Sequence, residues 1–374
     1  MLKNIRKTFG RYLINIPGWR TDRKIVVFES DDWGSIRMPS KSVYKKCLDA
    51  GYRVDQIAYE RFDSLASEDD LELLFEVLST YTDKMDNPAV FTANILTSNP
   101  DFDKIKKNGY QEYFYEMITD TFKKYPNHSN CLNLWKNGKE NGVFYPQSHG
   151  REHLNVSLFM RSLQAGDKDA LFGFNHEMPG CIPKENPGRG NKYVESLRYN
   201  SKQDKREKLS IIIKGLKLFE SLMGYYSITF IPPNYIWSSD YDESMFQEGV
   251  LFYQGHRKMK EPVFDGSYKF HNRILGKKNK FGQRCLVRNA TFEPAMHNSG
   301  SDPVNRCLKD ISIAFRMNKP AIISSHRLNY VGFIDERNRD NSLRKLENLL
   351  SQIRKKWPEI EFLSSVELGE MISE

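Results

Sequence analysis

Cysteine is scarce. The 374-residue chain has five, Cys47, Cys131, Cys181, Cys285 and Cys307. They are scattered, odd in number and form no Cys-x-x-Cys pair. This argues against a disulfide framework and against a cysteine-built zinc site, and it suits a reducing compartment. Long apolar runs are missing too, and no stretch approaches the length of a membrane span. The N-terminus lacks the apolar core and small-residue cleavage site of a signal peptide. Together these absences predict a cytoplasmic protein. There is no internal repeat, no clear linker and no nucleic-acid motif.

What the chain does have is positive charge and aromatic residues. The formal net charge is +8, with 19 Tyr, 23 Phe and 5 Trp. Aromatics fill cores and also form sugar-binding surfaces. Basic residues concentrate in Lys3–Arg23 and Lys269–Arg288, and a solvated basic face accounts for both. In the basic N-terminal segment, residues 1–23, Phe9, Tyr12, Leu13 and Ile16 fall on one face of a short amphipathic helix ringed by Lys3, Arg6, Lys7 and Arg11. Such a helix packs on its own domain or makes peripheral membrane contact.

Short β-branched and apolar runs recur near residues 25, 90, 144, 228, 251, 287, 322 and 362, separated by amphipathic stretches. Helices are predicted at 41–50, 68–81, 110–125, from His153 to about 170, and at 205–223, 302–317 and 341–357. Strand–helix alternation predicts a parallel sheet. Polar residues gather just after the strands along the whole chain. A barrel brings all those ends to one rim, whereas an open sheet would scatter them. The expected fold is therefore α/β, an irregular (β/α) barrel of seven or eight mainly parallel strands in a single domain. Residues 171–202, rich in Gly, Pro and Asn but carrying Phe172, Phe174, Met178 and Ile182, are expected to form an ordered cap. Residues 265–283 read as a basic insertion.

Two strand ends carry the chemistry. The first, KIVVFESDDWGS from Lys24 to Ser35, stops at adjacent carboxylates, Asp31 and Asp32, which a bound cation would stabilise. Alone, this is also an Asp-rich turn. The second, Ser148–His153, holds His149 and His153 at a spacing that puts both on one face of a helical turn. With Asp32 they would make a two-imidazole, one-carboxylate site of the catalytic kind.

These stretches, with the Pro232-Pro233-Asn234-Tyr235 turn and a late strand ending in His326, resemble the polysaccharide deacetylases of carbohydrate esterase family 4. The resemblance spans residues 24–330. It implies a barrel, a divalent ion (usually zinc) and removal of N- or O-acetyl groups from a carbohydrate. It implies Asp31 as base, Asp32, His149 and His153 as metal ligands, and His326 as the acid. It gives Tyr235 a backbone N–H for the oxyanion. Two departures stand out. Trp33 is inserted before Gly34, and Ile231 stands where the family usually has the arginine that orients the base; Arg37, Arg151 and Arg327 are candidates to replace it. Trp33, His176 and His297 are candidate substrate contacts; the alternatives are that Trp33 closes the barrel end and that His176 makes a loop hydrogen bond. Two other classes stay open. A metal-dependent glycosidase would need a second carboxylate such as Glu177 or Glu293. A non-catalytic glycan-binding protein could retain the metal site.

Overall fold

The computed structural model describes residues 10–296 and 302–374. Its central strand is β1 (Lys24–Trp33), buried from Ile25 onward. Side chains alternate across a strand, and β1 uses both faces. Val26 and Phe28 pack outward against helices, while Ile25 and Val27 join a second apolar cluster with Ile322, Leu363 and Leu368. Continuing the inner set along the strand leads to Glu29 and Asp31, so one face is apolar at one end and acidic at the other.

Eight further strands join it: β2 (Phe91–Ile95), β3 (Phe144–Ser148), β4 (Thr229–Phe230), β5 (Phe252–Gly255), β6 (Arg284–Val287), β7 (Ala290–Thr291), β8 (Ala321–His326) and β9 (Ile360–Phe362). The order is β6-β5-β4-β3-β2-β1-β8-β7, with β9 added beside the start of β1. Every pairing is parallel. The two outermost strands, β6 and β7, are separated by only Arg288 and Asn289. The Arg288 N–H donates to Gly255 on β5 at 2.9 Å, and the Asn289 N–H donates to Ile322 on β8 at 3.0 Å. Residues 284–291 thus act as one bent strand that changes partner midway and carries the chain across the seam. The sheet curls into an irregular (β/α) barrel, as the strand–helix alternation predicts.

The outer layer includes α1 (Glu68–Thr80), α2 (Cys131–Glu140), α3 (Lys202–Met223), α4 (Pro303–Arg316) and α5 (Glu336–Lys356). Helix α1 begins with a capping box between Ser67 and Asp70 and three acidic residues in its first turn, where they suit the helix dipole.

Several local expectations need correcting. Residues 110–125 are not one helix: Tyr115–Met117 forms a strand and only Ile118–Lys124 is helical. The helix expected to open at His153 begins at Val156, capped by Asn155. Residues 171–202 contain the end of a helix, Lys168–Asn175, and two short 3₁₀ turns. Of the basic insertion, residues 265–283, Tyr268–Asn272 forms the second strand of a hairpin whose first strand, Lys258–Pro262, precedes it. Among the described residues no helix is long and apolar enough to cross a membrane. Lys3, Arg6, Lys7 and Phe9 of the N-terminal segment lie outside the described residues; Leu13 and Ile16 are exposed.

Candidate active site

The carboxyl ends of the strands open into a cavity of about 890 Å³, lined by Asp31, Asp32, His149, His153, Tyr235 and His326 among others. The end of β1 is bent to reach it. Register between β1 and β2 shifts between Ser30 and Trp33, and Asp32 takes the left-handed φ of +74°. A bulge of this kind re-aims a side chain. Asp31 keeps the inner face while Asp32 turns towards β3. Trp33 then returns to the core at 1% exposure, edge-on to Phe144 at 5.0 Å, with its Nε1–H donating to Ser30 Oγ at 3.1 Å. It packs behind the bulge and does not line the cavity.

Asp32, His149 and His153 present one donor atom each, all within 4.8 Å of one another, and all three residues are buried. The imidazoles come together without a helix. Residues 149–155 are a loop in which Gly150 has φ +112°, and the rings meet at 5.2 Å. Helix α3 presses on this loop through Gly215, where a Cβ would stand 2.6 Å from the Arg151 backbone nitrogen. The His149 Nδ1–H donates to the Ile231 carbonyl at 2.9 Å, and its Nε2 faces Asp32 Oδ1 at 3.2 Å. His153 Nε2 lies 3.6 Å from the same oxygen, and its buried Nδ1 has no partner. Burial pushes the His153 pKa down to about 3, which keeps the imidazole neutral. Burial works against the Asp32 carboxylate, but the surrounding histidines, His149, His153 and His326, together outweigh it and hold the group well below the usual range. This set fits a divalent ion. It offers one ionised carboxylate, two imidazoles, and a carbonyl behind His149 that fixes its tautomer and leaves Nε2 for a cation.

Asp31 lies beside this triad and is held by a residue the sequence reading missed. Arg288 Nη1 and Nη2 each donate to Asp31 at 2.7 Å, and its Nε donates to Glu29 at 2.5 Å. Asn94 on β2 adds a hydrogen bond to Asp31 at 2.7 Å. Burial would raise the Asp31 pKa, but the Arg288 charge and hydrogen bonds reverse the shift and lower it. The candidates named for Ile231's missing charge do other work. Arg151 pairs with Glu152, Arg327 pairs with Asp63, and Arg37 lies nearest Glu60 and Asp63. The clue in the sequence is Arg288 directly after the apolar run Cys285-Leu286-Val287, at the end of the basic stretch Lys269–Arg288.

Beside Asp31, His326 Nδ1–H donates to Glu293 at 2.6 Å, and its Nε2 is 3.6 Å from Asp31. Asn329 fixes the other Glu293 oxygen at 2.7 Å. Burial alone would lower the His326 pKa; Glu293, followed by Asp31 and Asp32, raises it to about 9. Tyr235 is in place but oriented differently from the expectation. Its N–H donates to the Pro232 carbonyl at 3.0 Å, while its hydroxyl accepts from Arg288 at 3.2 Å. His256, not singled out in the sequence, also lines the cavity. His176 does not; its Nδ1–H donates to the Phe172 carbonyl at 2.8 Å. His297 lies outside the described residues. Of the expected cap, residues 189–192, Val194, Glu195 and Arg198 form part of the cavity wall.

No family model matches the sequence, and none of the curated proteins does. Solved structures do. One described as a glycoside hydrolase/deacetylase, from Parabacteroides distasonis, is similar at TM-score 0.50 and 9% identity, over 96% of this chain and 72% of that one. One described as a polysaccharide deacetylase, from Mycobacterium smegmatis, gives 0.45 and 9%, over 96% and 93%. A carbohydrate esterase family 4 pseudoenzyme from Bacillus anthracis gives 0.38 and 10%, over 93% and 66%. At 9% identity the likeness to the Parabacteroides distasonis structure is one of fold alone, a (β/α) barrel. The motifs that resemble the deacetylases lie at the strand ends of that barrel.

Proposed function

We propose that the protein is a metal-dependent hydrolase that removes acetyl groups from a carbohydrate. The observation that carries this is an acid and a base facing the same buried triad. Asp31 is a carboxylate held ionised by Arg288, and His326 is an imidazolium held protonated by Glu293. Asp32, His149 and His153 would hold the ion, which when bound supplies Lewis-acid polarisation of a carbonyl and acidification of water. Asp31 takes the proton from the attacking water. His326, beside Asp31 on the neighbouring strand, gives a proton to the departing amine or alcohol. The Tyr235 hydroxyl, held by Arg288, faces the developing charge.

Arg288 also removes the main reason for a non-catalytic reading, since Asp31 does not lack an opposite charge. The glycosidase reading loses ground as well. Glu293 is engaged by His326 and Asn329, and Glu177 does not line the cavity.

The test is acetate release from a panel of acetylated glycans with zinc, cobalt or nickel supplied, alongside metal content. Asp31→Asn should lower kcat by roughly 10²–10⁴-fold with bound metal unchanged, and His153→Ala should lose the metal. Equal metal content in His153→Ala and parent removes the site. Absence of acetate release from every glycan overturns the hydrolase reading.

A further inference from the structure

Arg37, in the loop after β1, is 8% exposed and lines the cavity. Its Nε is buried with no hydrogen-bond partner. The nearest carboxylate oxygens, on Asp63 and Glu60, stand at 3.8 and 4.0 Å, beyond hydrogen-bond range. Arg327 holds Asp63 through Oδ1, at 3.0 Å to Nε and 2.9 Å to Nη2, while Oδ2, the oxygen nearest Arg37, has no hydrogen-bond partner. The Tyr59 ring, 5.6 Å from the Arg37 guanidinium, packs beside it. Elsewhere among the described residues the cavity's buried cations are matched: Arg288 makes two bonds to Asp31 and His326 one to Glu293. Arg37 thus stands close to two carboxylates without a hydrogen bond to either, and an acceptor in the cavity would meet N–H groups that the protein leaves free.

Residues 189–198 bring further basic side chains to the cavity, beside Glu195. Arg189, Lys192 and Arg198 line the cavity from residues 189–198. Arg198 is paired with Glu195 at 3.1 Å, and Lys192 only with a partly exposed Asp167 at 3.5 Å. Arg189 is exposed and makes no ion pair among the described residues. An acetyl group is neutral and calls for none of this charge. A guanidinium with a free edge suits a planar carboxylate, which accepts two parallel N–H bonds.

We propose that the cavity contains a carboxylate subsite, with Arg37, Arg189 and Lys192 in its lining, and that the carbohydrate is acidic. A uronic-acid unit beside the acetylated sugar supplies the carboxylate. The inference rests on the glycan reading of the same cavity and names its substrate class.

Two probes with the same N-acetylglucosamine unit separate charge from the acetyl group: a hyaluronan tetrasaccharide, which carries carboxylates, and chitotetraose, which does not. Titration calorimetry on the full chain should show the hyaluronan fragment binding at least about tenfold tighter, with the margin shrinking as salt is added. Arg37→Gln should reduce the ratio of the two affinities by about tenfold. The exposed double variant Arg189→Ala/Lys192→Ala should reduce it in the same direction, and it carries the test if Arg37→Gln fails a thermal-unfolding check. Equal affinities, a preference for chitotetraose, no binding of either probe, or a ratio unmoved by both variants would overturn the subsite. Acetate release is read separately. Equal release from both probes without an affinity difference keeps the hydrolase and removes the subsite. Arg37-dependent binding without acetate release does the reverse.

Discussion

Arg288 holds two buried carboxylates at once, and they behave differently. Glu29 is fully enclosed, and burial raises its pKa despite the guanidinium and the Ser365 hydroxyl at 2.8 Å. Asp31 receives two of the three Arg288 bonds to carboxylates and stays low. Glu29 therefore positions the arginine, and the arginine positions the carboxylate that faces the cavity. The second clamp, Glu293 on His326, sets the alkaline limit. His326 is protonated up to about pH 9, so acid catalysis by it should persist below that value and fall as pH rises through it. The sign for stability is the same. A histidine whose folded pKa is raised contributes stability that is full below its ordinary value of about 6.5 and lost as pH climbs through the folded one. Glu293→Gln keeps the shape and removes the charge. The alkaline limb of kcat/KM should then move from about 9 towards the ordinary histidine value of about 6.5. A limb that stays in place in a pH profile of this variant would show that another group sets it.

At the scale of elements, the sequence reading found what periodicity carries. Ile25–Phe28, Ala321–Ile323 and the capped helix after Ser67 stand close to their expected places. The misreadings came from features whose meaning depends on contacts distant in sequence. His149 and His153 have helical spacing, but the spacing is also that of a loop folded back at a glycine, and only the packing of α3 distinguishes them. Residues 284–291 look like one strand; their change of partner at Arg288 and Asn289 depends on where β5 and β8 lie. Trp33 looked like an insertion in a turn and turns out to back a bulge. The α3 contact is testable. A methyl group at Gly215 would stand 2.6 Å from Arg151 N and 2.9 Å from Gly150 C, both backbone atoms that cannot swing aside. Gly215→Ala should push the 149–153 loop off its position and weaken metal retention by about tenfold, while circular dichroism still reports a folded barrel. Unchanged metal affinity would mean that the loop holds its shape without the helix.

For the whole molecule, the question is how residues 171–202, far along the chain from β1, come to wall the same cavity. Much of the connection runs through one side chain. Asn155 Oδ1 accepts from Leu158 N at 3.2 Å, capping the helix Val156–Gln164, and from the buried Lys208 Nζ at 2.7 Å. Its Nδ2 donates to the Glu195 and Arg198 carbonyls, both at 3.0 Å, and its own N–H donates to the Tyr193 carbonyl at 2.6 Å. The hairpin supports the same stretch from outside, through Arg198 to the Gly266 carbonyl at 3.0 Å and Tyr268 to Glu195 at 2.9 Å. Asn155→Asp preserves the acceptor that caps the helix and contacts Lys208, but replaces two donors with an oxygen facing two carbonyls. Each lost bond leaves a buried acceptor unmet, at about 1–3 kcal/mol. The barrel should stay folded while residues 189–198 exchange their amide hydrogens faster. If this wall binds substrate, KM should rise by about tenfold with kcat nearly unchanged, since Asp31 and His326 are held by other residues. Exchange in 189–198 no faster than in the parent would place the anchor in the hairpin. A fall in kcat at constant KM would mean that the wall positions the reacting groups rather than the sugar.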